Sequence, residues 1–396
     1  MRIAYICADP GIPVFGCKGC SIHVQEVIRA LLQQGHQVEL FAVRWGGHPP
    51  ADLAAVPCHK LPKLPKGNTL SREQAALGLN LDLRFALEQA GRFDLVYERY
   101  SLWSISGMEF AQERGIPGVL EVNAPLIEEQ SQHRGLVLRS HAEQVARRVF
   151  QAATLLVAVS DAVADYLRSY LPTDRKVQVI PNGVNPHRFP NDRVAALPHE
   201  AFTIGFVGTM KPWHGLLTLV DAFTQFQATL PAPTRLLLVG DGPDRSAIES
   251  ALSDRHLGSA VHFTGKVNPT EIPGLLASMD VAVAPYPQQP QFYFSPLKVY
   301  EYMAAGLPVV ASRIGQLQHL IQDGTNGLLY QPGNPTALAT QLSLLYHQPA
   351  LRSHLGQAAR STVLQTHTWE QVVQKVLSLA PVALRSAACP MEVSAS

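Results

Sequence analysis

The sequence predicts an α/β fold with two doubly wound domains. Short runs rich in β-branched residues recur along the 396 residues, and each is followed by an amphipathic segment of helical length. The runs divide into two comparable sets on either side of PNGVNPHRFPNDRVAALPHE, a segment rich in Pro, Asn and Gly that is typical of a linker. Strands that alternate with helices form right-handed crossovers, so each set predicts a parallel sheet covered on both faces.

The predicted strands are short and largely apolar in both sets. In the first set they are Arg2–Cys7, Val38–Val43, Leu95–Arg99, Gly118–Val122, Leu155–Val159 and Val177–Ile180. In the second set they are Thr203–Val207, Arg235–Val239, Val261–Thr264, Val281–Pro285, Pro308–Ala311 and Gly327–Tyr330. Runs of this kind favour parallel strands that are buried on both faces of their sheet.

Helical patterns lie in the intervals between these strands. They include Ile22–Gln34, Ser160–Tyr170, Leu216–Gln227, Asp244–Leu252, Thr270–Ser278 and Leu297–Ala305. Gly35 and Gly306 end the first and the last of them, since glycine readily adopts the backbone conformation that follows a helix. For the last helix we predict Ser295 as the N-cap and Pro296 at the first helical position, where its missing N–H costs nothing.

The linker also predicts the domain boundaries. Residues 1–186 are expected to form the first domain and residues 187–366 the second. A helix over about 367–382 follows the second sheet and is expected to pack back on the first domain. The small and polar tail, 383–396, is expected to be disordered. Ligands are expected at the carboxyl ends of the strands, in a cleft that the two domains face.

Composition limits the class of protein. With 46% hydrophobic residues, 16% charged residues and a net charge of +1, the chain fits a globular protein without an overall bias toward nucleic acid. No apolar run approaches the roughly 20 residues of a membrane-spanning helix, and the N-terminus alternates like a strand. We expect a cytoplasmic protein with free thiols. A peripheral contact of 132–150 with the inner face of the membrane is an alternative to ordinary helix packing there.

The segment GFVGTMKPWHG, 205–215, has the pattern of an anion-binding turn. A strand ends at Val207, a glycine turn follows, and a helix begins near Gly215. Such a turn presents backbone N–H groups and the positive end of a helix to an anion. Lys211 and His214 lie in the turn, where a cation could neutralise a phosphate. A surface turn without a ligand is the alternative.

The segment FYFSPLKVYEYMAAG, 292–306, places a carboxylate in a second helix that follows a loop. Glu301 could accept the hydroxyl groups of a ribose while the helix N-terminus holds the adjacent phosphates. A solvated helix face is an equally good interpretation of Glu301. The segment VIPNGVNPHRF, 179–189, is interpreted as an interdomain hinge, and the Gly240–Gly242 turn could approach a ligand without being specific.

Cys17 and Cys20 form a Cys-x-x-Cys pair that permits a thiol or zinc function. Together with His23 they supply only three candidate ligands, and a tetrahedral zinc site needs a fourth. The alternative is a loop whose important residue is Gly19. No Asp-x-Asp pair occurs, so a divalent metal is not expected, and neither a serine-hydrolase elbow nor a P-loop is present.

Seven segments in this order and spacing resemble the GT-B glycosyltransferases of glycosyltransferase family 4. They are KGCSIHV, VIPNGVN, FVGTMKPWHG, LLLVGDGP, VHFTGKV, SPLKVYEYMAAGLPVVAS and DGTNGLLY. The resemblance covers nearly the whole chain and implies two Rossmann-like domains. It implies retaining transfer of a hexose-type sugar from a nucleotide-sugar donor, UDP-linked in the first place and GDP-mannose next. The acceptor would be a glycan, a lipid-linked or a small molecule, in cell-surface polysaccharide or glycolipid biosynthesis, with no cofactor or metal.

The resemblance assigns site residues to this chain. Its catalytic candidates are Lys211, His214 and Glu301. The donor diphosphate and sugar are expected at Gly19, Gly208, Tyr293, Phe294, Ser295, Pro296 and Leu297, and the base and ribose at Gly240, Gly265, Lys266, Val267 and Glu301. Glu98, Arg99, Asn123 and Glu128 lie at or after strand ends of the first domain and could face the acceptor, although solvated or hinge roles are the alternative.

Two departures from the family pattern bear on these assignments. Tyr293 occupies the position of the first acid in the family's E-x7-E motif, of which Glu301 matches the second acid. Thr209 and His214 stand where the family has an Arg and a Lys, which leaves Lys211 as the expected formal cation. A GT-B sugar-nucleotide epimerase and a non-catalytic nucleotide-sugar-binding protein are the alternative functions. The sequence does not predict the oligomeric state.

Overall fold

A computed structural model describes residues 1–172, 176–230 and 232–388, with the side chains of 382–388 left out. The described residues form two compact units. Unit 1 consists of Met1–Pro181, Tyr293–Ser295 and the C-terminal segment from Trp369, and unit 2 consists of Asn182–Phe292 and Pro296–Thr368. The division therefore falls a few residues before the predicted boundary at 186.

Thirteen strands in the described residues form two parallel sheets. They are β1 Arg2–Cys7, β2 Gln37–Ala42, β3 Cys58–Lys60, β4 Leu95–Arg99, β5 Gly118–Val122, β6 Leu155–Ala158, β7 Val177–Val179, β8 Phe202–Val207, β9 Thr234–Val239, β10 Val261–Gly265, β11 Val281–Ala284, β12 Val309–Ser312 and β13 Leu328–Tyr330. The seven-stranded sheet of unit 1 has the order β3-β2-β1-β4-β5-β6-β7, and the six-stranded sheet of unit 2 has the order β10-β9-β8-β11-β12-β13.

Fourteen α-helices connect and cover these strands in the described part of the chain. They are α1 Gly19–Gln33, α2 Thr69–Ala90, α3 Ser106–Arg114, α4 Leu126–His133, α5 Arg139–Ala152, α6 Asp161–Arg168, α7 Leu216–Gln227, α8 Arg245–Ser253, α9 Ile272–Ala277, α10 Leu297–Ala304, α11 Leu317–Leu320, α12 Pro335–His347, α13 Pro349–Thr366 and α14 Trp369–Ala388. None of these described helices has both the length and the apolar character needed to cross a membrane.

The predicted α/β class with two doubly wound sheets is confirmed, and all twelve predicted strands are present within a residue or two. The strand β3 was not predicted, because it is a three-residue edge strand with exposed or half-buried side chains. The helix α1 begins at Gly19, three residues earlier than expected. The helix α10 starts at Leu297, as its pattern predicted, but the predicted cap was wrong by one residue, since Pro296 has extended backbone and is itself the N-cap.

The C-terminal helix was predicted to end near residue 382. Instead α14 continues to Ala388, so the first residues of the expected disordered tail are helical. Residues 389–396 of that tail lie outside the described part of the chain. The helix belongs to unit 1, where the ring of Trp369 lies edge-on to His23 of α1 with ring centroids 4.8 Å apart.

A buried polar network lies at the carboxyl ends of the central strands in unit 1. The carboxylate of Glu121, 3% exposed, accepts hydrogen bonds from the Tyr97 hydroxyl at 2.5 Å and from the Asn123 amide at 2.6 Å. His23 Nε2 lies 2.6 Å and Arg99 Nη1 3.4 Å from the same carboxylate. Burial alone would raise the pKa of Glu121, but His23, Arg99 and Tyr97 outweigh burial and lower that pKa to about 2.

This network predicts how the stability of unit 1 depends on pH. Because the pKa of Glu121 is lower in the folded state than the ordinary 4.5, its contribution is present above pH 4.5 and is lost as the pH falls toward about 2. Glu121→Gln leaves the Arg99 guanidinium without its counter-charge, so it should lower the free energy of unfolding at pH 7 by about 3–5 kcal/mol. It should also flatten the acid limb of a stability–pH curve measured by urea unfolding.

The matched control is Glu113→Gln at an exposed carboxylate that pairs with Arg84 on the surface of unit 1. Solvent screens such a pair, so this variant should lose less than about 1 kcal/mol and keep the acid limb. Equal losses in the two variants would contradict the account of the network.

Candidate functional site

Glycine turns at the carboxyl ends of β8 and β9 pack backbone against backbone in unit 2. Gly208 donates its N–H to the Val239 carbonyl at 2.9 Å, and Met210 donates to the Asp241 carbonyl at 3.0 Å. A Cβ on Gly240 would lie 2.2 Å from the Gly208 carbonyl oxygen, a distance that no side chain tolerates. Both Gly208, at φ 147°, and Gly240, at φ 128°, have backbone angles that glycine adopts readily. The two turns therefore hold their backbone groups in one fixed arrangement.

The next strand outward brings a third glycine to the same place. Gly265, at φ 68°, ends β10 and forms a bridge with Gly240, whose N–H also donates to the Thr264 hydroxyl at 3.3 Å. The structure thus brings together Gly208, Gly240 and Gly265, as expected for a site at the strand ends. Lys266 and Val267 follow directly, with Lys266 exposed and Val267 half-buried. Their predicted contact with a base stays a prediction.

His214 lies in the turn that precedes α7, and its ring is neutral. Nδ1 of His214 lies 2.5 Å from the Thr209 carbonyl oxygen, which can only accept, so Nδ1 carries the proton and Nε2 presents a lone pair. Burial, Lys298 and Lys211 lower the pKa of His214 to about 3. Burial and the two nearby lysines therefore oppose protonation of His214, and its predicted place at a phosphate stays a prediction.

Lys298 is a cation of this site that the sequence patterns did not predict. Its ammonium nitrogen is enclosed without a hydrogen-bond partner among the described residues and lies 4.0 Å from the centroid of the Phe206 ring. A Cβ on Gly208 would meet that nitrogen at 2.8 Å, so the ammonium lies directly against the glycine turn. Burial lowers the pKa of Lys298 to about 7, although Glu301 partly opposes this shift. A buried ammonium without a paired anion is costly, which points to an anionic ligand.

One sequence signal could have identified Lys298. It is the second residue of α10, and a cation is unfavourable in the first turn of a helix because the N-terminus is already positive. Lys211, the expected cation, is half-buried at the start of its turn, with its ammonium 5.2 Å from the centroid of a Trp213 ring. The end of β8 therefore carries two ammonium groups near one glycine turn.

Glu301 forms an ion pair that was not predicted from the sequence. Arg188 Nη1 donates to Glu301 Oε1 at 2.6 Å, and Nη2 donates to the Pro269 carbonyl at 3.3 Å. Arg188 belongs to the segment interpreted as a hinge without chemistry, and this contact gives that segment a place in the site. Tyr302, next to Glu301, accepts the Val207 N–H at 2.7 Å through its buried hydroxyl. This bond holds α10 against the end of β8.

The predicted donor loop is divided between the two units. Tyr293, Phe294 and Ser295 group with unit 1, whereas Pro296 and Leu297 belong to unit 2. Within unit 1, Ser160 donates its hydroxyl to the Tyr293 carbonyl at 2.8 Å. Gly19 is the exposed first residue of α1, and the N–H groups of Ser21 and Ile22 in that first turn donate to the Lys18 carbonyl at 2.8 and 2.9 Å. Contacts of these residues with a donor stay predictions.

The four predicted acceptor residues do not form one group. Arg99 and Asn123 both contact Glu121 in the buried network, whereas Glu98 points to the opposite face of the sheet. Glu98 accepts from the Ser104 hydroxyl at 2.5 Å, and burial raises its pKa to about 7. Glu128 is half-buried at α4 and lies 3.7 Å from Arg139.

A cavity of about 380 Å³ lies at the carboxyl ends of β1 and β4 in unit 1. None of the four predicted acceptor residues lines it. Its polar lining comes from five sequence regions and includes Asp9, Arg44, Arg72, Glu73, Asn80, Ser101, Ser104, Glu129, Gln130 and Arg134. Prediction from strand ends alone did not find it, because α2 supplies much of this lining and was not predicted.

Few residues in the described part of the chain are placed to support metal or thiol chemistry. No group of three or more His, Cys, Asp and Glu residues there could hold a metal ion. Cys17 and Cys20 are free thiols, and Cys20 lies in the first turn of α1. His23 instead turns its Nε2 toward Glu121.

Comparisons with protein families and with known proteins find matches in both units of the chain. Residues 18–188 match the family described as Glycosyltransferase Family 4, and residues 201–348 match the family described as Glycosyl transferases group 1. A D-inositol 3-phosphate glycosyltransferase of Arthrobacter sp. (strain FB24) is 27% identical over 86% of this chain and 85% of its own length. An MMP alpha-(1->4)-mannosyltransferase of Mycolicibacterium hassiacum is 25% identical over 94% of this chain and 97% of its own.

A solved structure of Anabaena HepE, in complex with UDP and glucose, has a similar fold. It superposes with a TM-score of 0.70 at 20% identity and covers 96% of this chain and 100% of its own. The group 1 match contains all three glycine turns, Lys211, Lys298 and Glu301. The chain is therefore a glycosyltransferase of the GT-B fold, built from a family 4 domain and a group 1 domain.

Proposed function

We propose that the chain is a retaining glycosyltransferase that moves a hexose-type sugar from a nucleotide diphosphate sugar to a glycan, lipid-linked or small-molecule acceptor. Unit 2 holds the donor and unit 1 holds the acceptor. The observation that carries the proposal is the ammonium of Lys298, enclosed against the Gly208 turn with no hydrogen-bond partner among the described residues. A diphosphate supplies the negative charge that this arrangement lacks.

The remaining donor contacts follow from the same strand ends. The diphosphate lies against Gly208 and the N-terminus of α7, with Lys211 as the second cation. Glu301, held by Arg188, accepts the ribose hydroxyls. UDP is the favoured nucleotide, and the UDP complex of HepE, which has the same fold, supports this choice. GDP-mannose is the alternative, supported by the mannosyltransferase among the relatives.

The chemical step is a front-side displacement at the anomeric carbon. The bond between that carbon and the β-phosphate oxygen breaks, and the acceptor hydroxyl oxygen bonds on the same face. The hydroxyl proton passes to the β-phosphate oxygen, so no enzymic base is required. Lys211, Lys298 and the backbone N–H groups stabilise the charge that grows on the diphosphate, which typically contributes on the order of 10²–10³ in rate. Neutral His214 offers Nε2 as an acceptor for a sugar hydroxyl.

The pathway and the cellular place are part of the same proposal. We place the enzyme in the cytoplasm, with a peripheral contact at the inner face of the membrane, in the synthesis of cell-surface polysaccharide or glycolipid. The proposed step uses no metal ion, since Lys211 and Lys298 supply the positive charge at the diphosphate.

A panel of nucleotides and nucleotide sugars tests this function. One nucleoside diphosphate and its sugar should raise the melting temperature of the protein, since a ligand that binds the folded state stabilises it. The matching donor should also be hydrolysed slowly in the absence of acceptor. A new sugar epimer formed from donor alone would instead identify an epimerase, and binding without transfer or hydrolysis would contradict an enzymic role.

The ribose contact makes a separate prediction. Glu301→Ala should abolish binding of the nucleoside diphosphate, because it removes the carboxylate and leaves Arg188 unpaired, as measured by calorimetry. The control is Glu249→Ala, at a surface carboxylate of α8 that pairs with Arg245. This control should bind the nucleotide as wild type does. Retained affinity in Glu301→Ala would remove Glu301 from the site.

A further inference from the structure

Lysines recur every third residue in the segment KLPKLPK, 60–66, which follows β3 in unit 1. The prolines at 62 and 65 fix φ near −65°, and each also keeps the leucine before it extended. An extended chain of this kind has three residues per turn and rises about 9 Å over three residues. The sequence therefore predicts a row of lysines on one side and a row of leucines on another.

The structure separates the two rows as this spacing requires. Leu61 is 2% exposed, and both Leu61 and Leu64 pack against the hydrophobic core of unit 1. Lys60, Lys63 and Lys66 are exposed, and all three line one cavity of about 700 Å³. The leucines thus anchor the segment, and the lysines are held along a single concave surface.

The cavity is strongly positive. Arg44 and Arg72 complete its set of five cations, and no Asp or Glu lines it. None of the five forms an ion pair with another described residue, whereas Arg29, Arg84, Arg139 and Arg148 of the same unit do. In a chain with a net charge of only +1, five unpaired cations around one cavity are a local concentration of charge.

The basic cavity adjoins the 380 Å³ cavity described above. The two share Pro10, Arg44, Leu64 and Arg72 among their lining residues. Two of the carboxylates in the adjoining cavity are already engaged by backbone groups. Asp9 accepts the Gly11 N–H at 2.6 Å, and Glu73 accepts the N–H groups of Val137 and Leu138 at 3.0 and 2.7 Å. Glu129, the remaining carboxylate there, lies 3.9 Å from Arg134 and 3.5 Å from the Tyr293 hydroxyl.

We propose that the lysine-lined cavity binds a phosphate-bearing group of the acceptor. This assignment rests on the proposed function, which places the acceptor on unit 1. Ammonium and guanidinium groups are the usual partners of phosphate oxygens, and a row of them suits a ligand with more than one negative charge. The cavity adjoins the space at the end of β1, so a phosphate held there would place the rest of the acceptor next to the strand ends. A concave surface with this continuation fits a ligand better than a flat membrane face.

Binding of tripolyphosphate, measured by calorimetry before and after saturation with UDP, tests the proposal. The triple variant K60Q/K63Q/K66Q should lose about tenfold or more in tripolyphosphate affinity, since three screened charge contacts are removed. Its UDP affinity should match that of wild type. The control R92Q/R114Q/K375Q removes the same charge at exposed positions of unit 1 outside both cavities, and it should bind tripolyphosphate normally.

The two sources of phosphate are separated with vesicles. Wild-type binding to vesicles that contain a polyprenyl diphosphate, lost in the triple variant, supports a lipid-linked acceptor. Tripolyphosphate binding without such vesicle binding supports a free phosphorylated acceptor. Equal tripolyphosphate affinity in the triple variant and the control overturns the proposal, as does a loss confined to phosphatidylglycerol vesicles. If UDP fails to bind the wild-type protein, the proposed function is contradicted. The comparison of tripolyphosphate affinities among the wild type, the triple variant and the control still tests the proposed phosphate site.

Discussion

The close approach of two glycine turns in unit 2 is the constraint on which the proposed donor site depends. The Gly240 backbone lies where any Cβ would collide with the Gly208 carbonyl, and Gly242 packs in the same way against Met210. Since the turns share hydrogen bonds, the end of β8 has little freedom to move. The lack of a Cβ on Gly208 also leaves room for the Lys298 ammonium. The absence of side chains in these turns therefore determines the position of both the backbone groups and the charge.

The electrostatics of the site follow from that placement. Burial and two lysines near one turn oppose protonation of His214, whose ring is oriented by the Thr209 carbonyl. The charge of Lys298 is unsatisfied by hydrogen bonds within the described residues, whereas Glu301 is already paired with Arg188. The phosphate and ribose ends of a nucleotide would thus meet different partners. The phosphates would face cations that have no ion pair among the described residues, and the ribose would face a carboxylate that Arg188 holds in place.

Local sequence patterns predicted the elements and the glycine turns, because strand-length apolar runs and glycine spacing are properties of short segments. The contacts that decide the chemistry lie between distant segments. Arg188 reaches Glu301 over 113 positions, and Lys298 meets a turn that begins some ninety residues earlier. No spacing rule connects such residues. Glu98 and Arg99 show a further limit, since adjacent strand residues face opposite sides of the sheet and cannot serve one site.

The central claim is that the Lys298 ammonium belongs to the donor diphosphate site, and the pH dependence of UDP affinity tests it most directly. The pKa of Lys298 is lowered to about 7, so the ammonium is charged below that pH and loses its charge as the pH rises through it. UDP affinity of wild type should therefore fall between pH 6 and pH 8.5. In Lys298→Met the affinity should be lower throughout and should show no such fall. The same pH profile in both proteins would contradict the account.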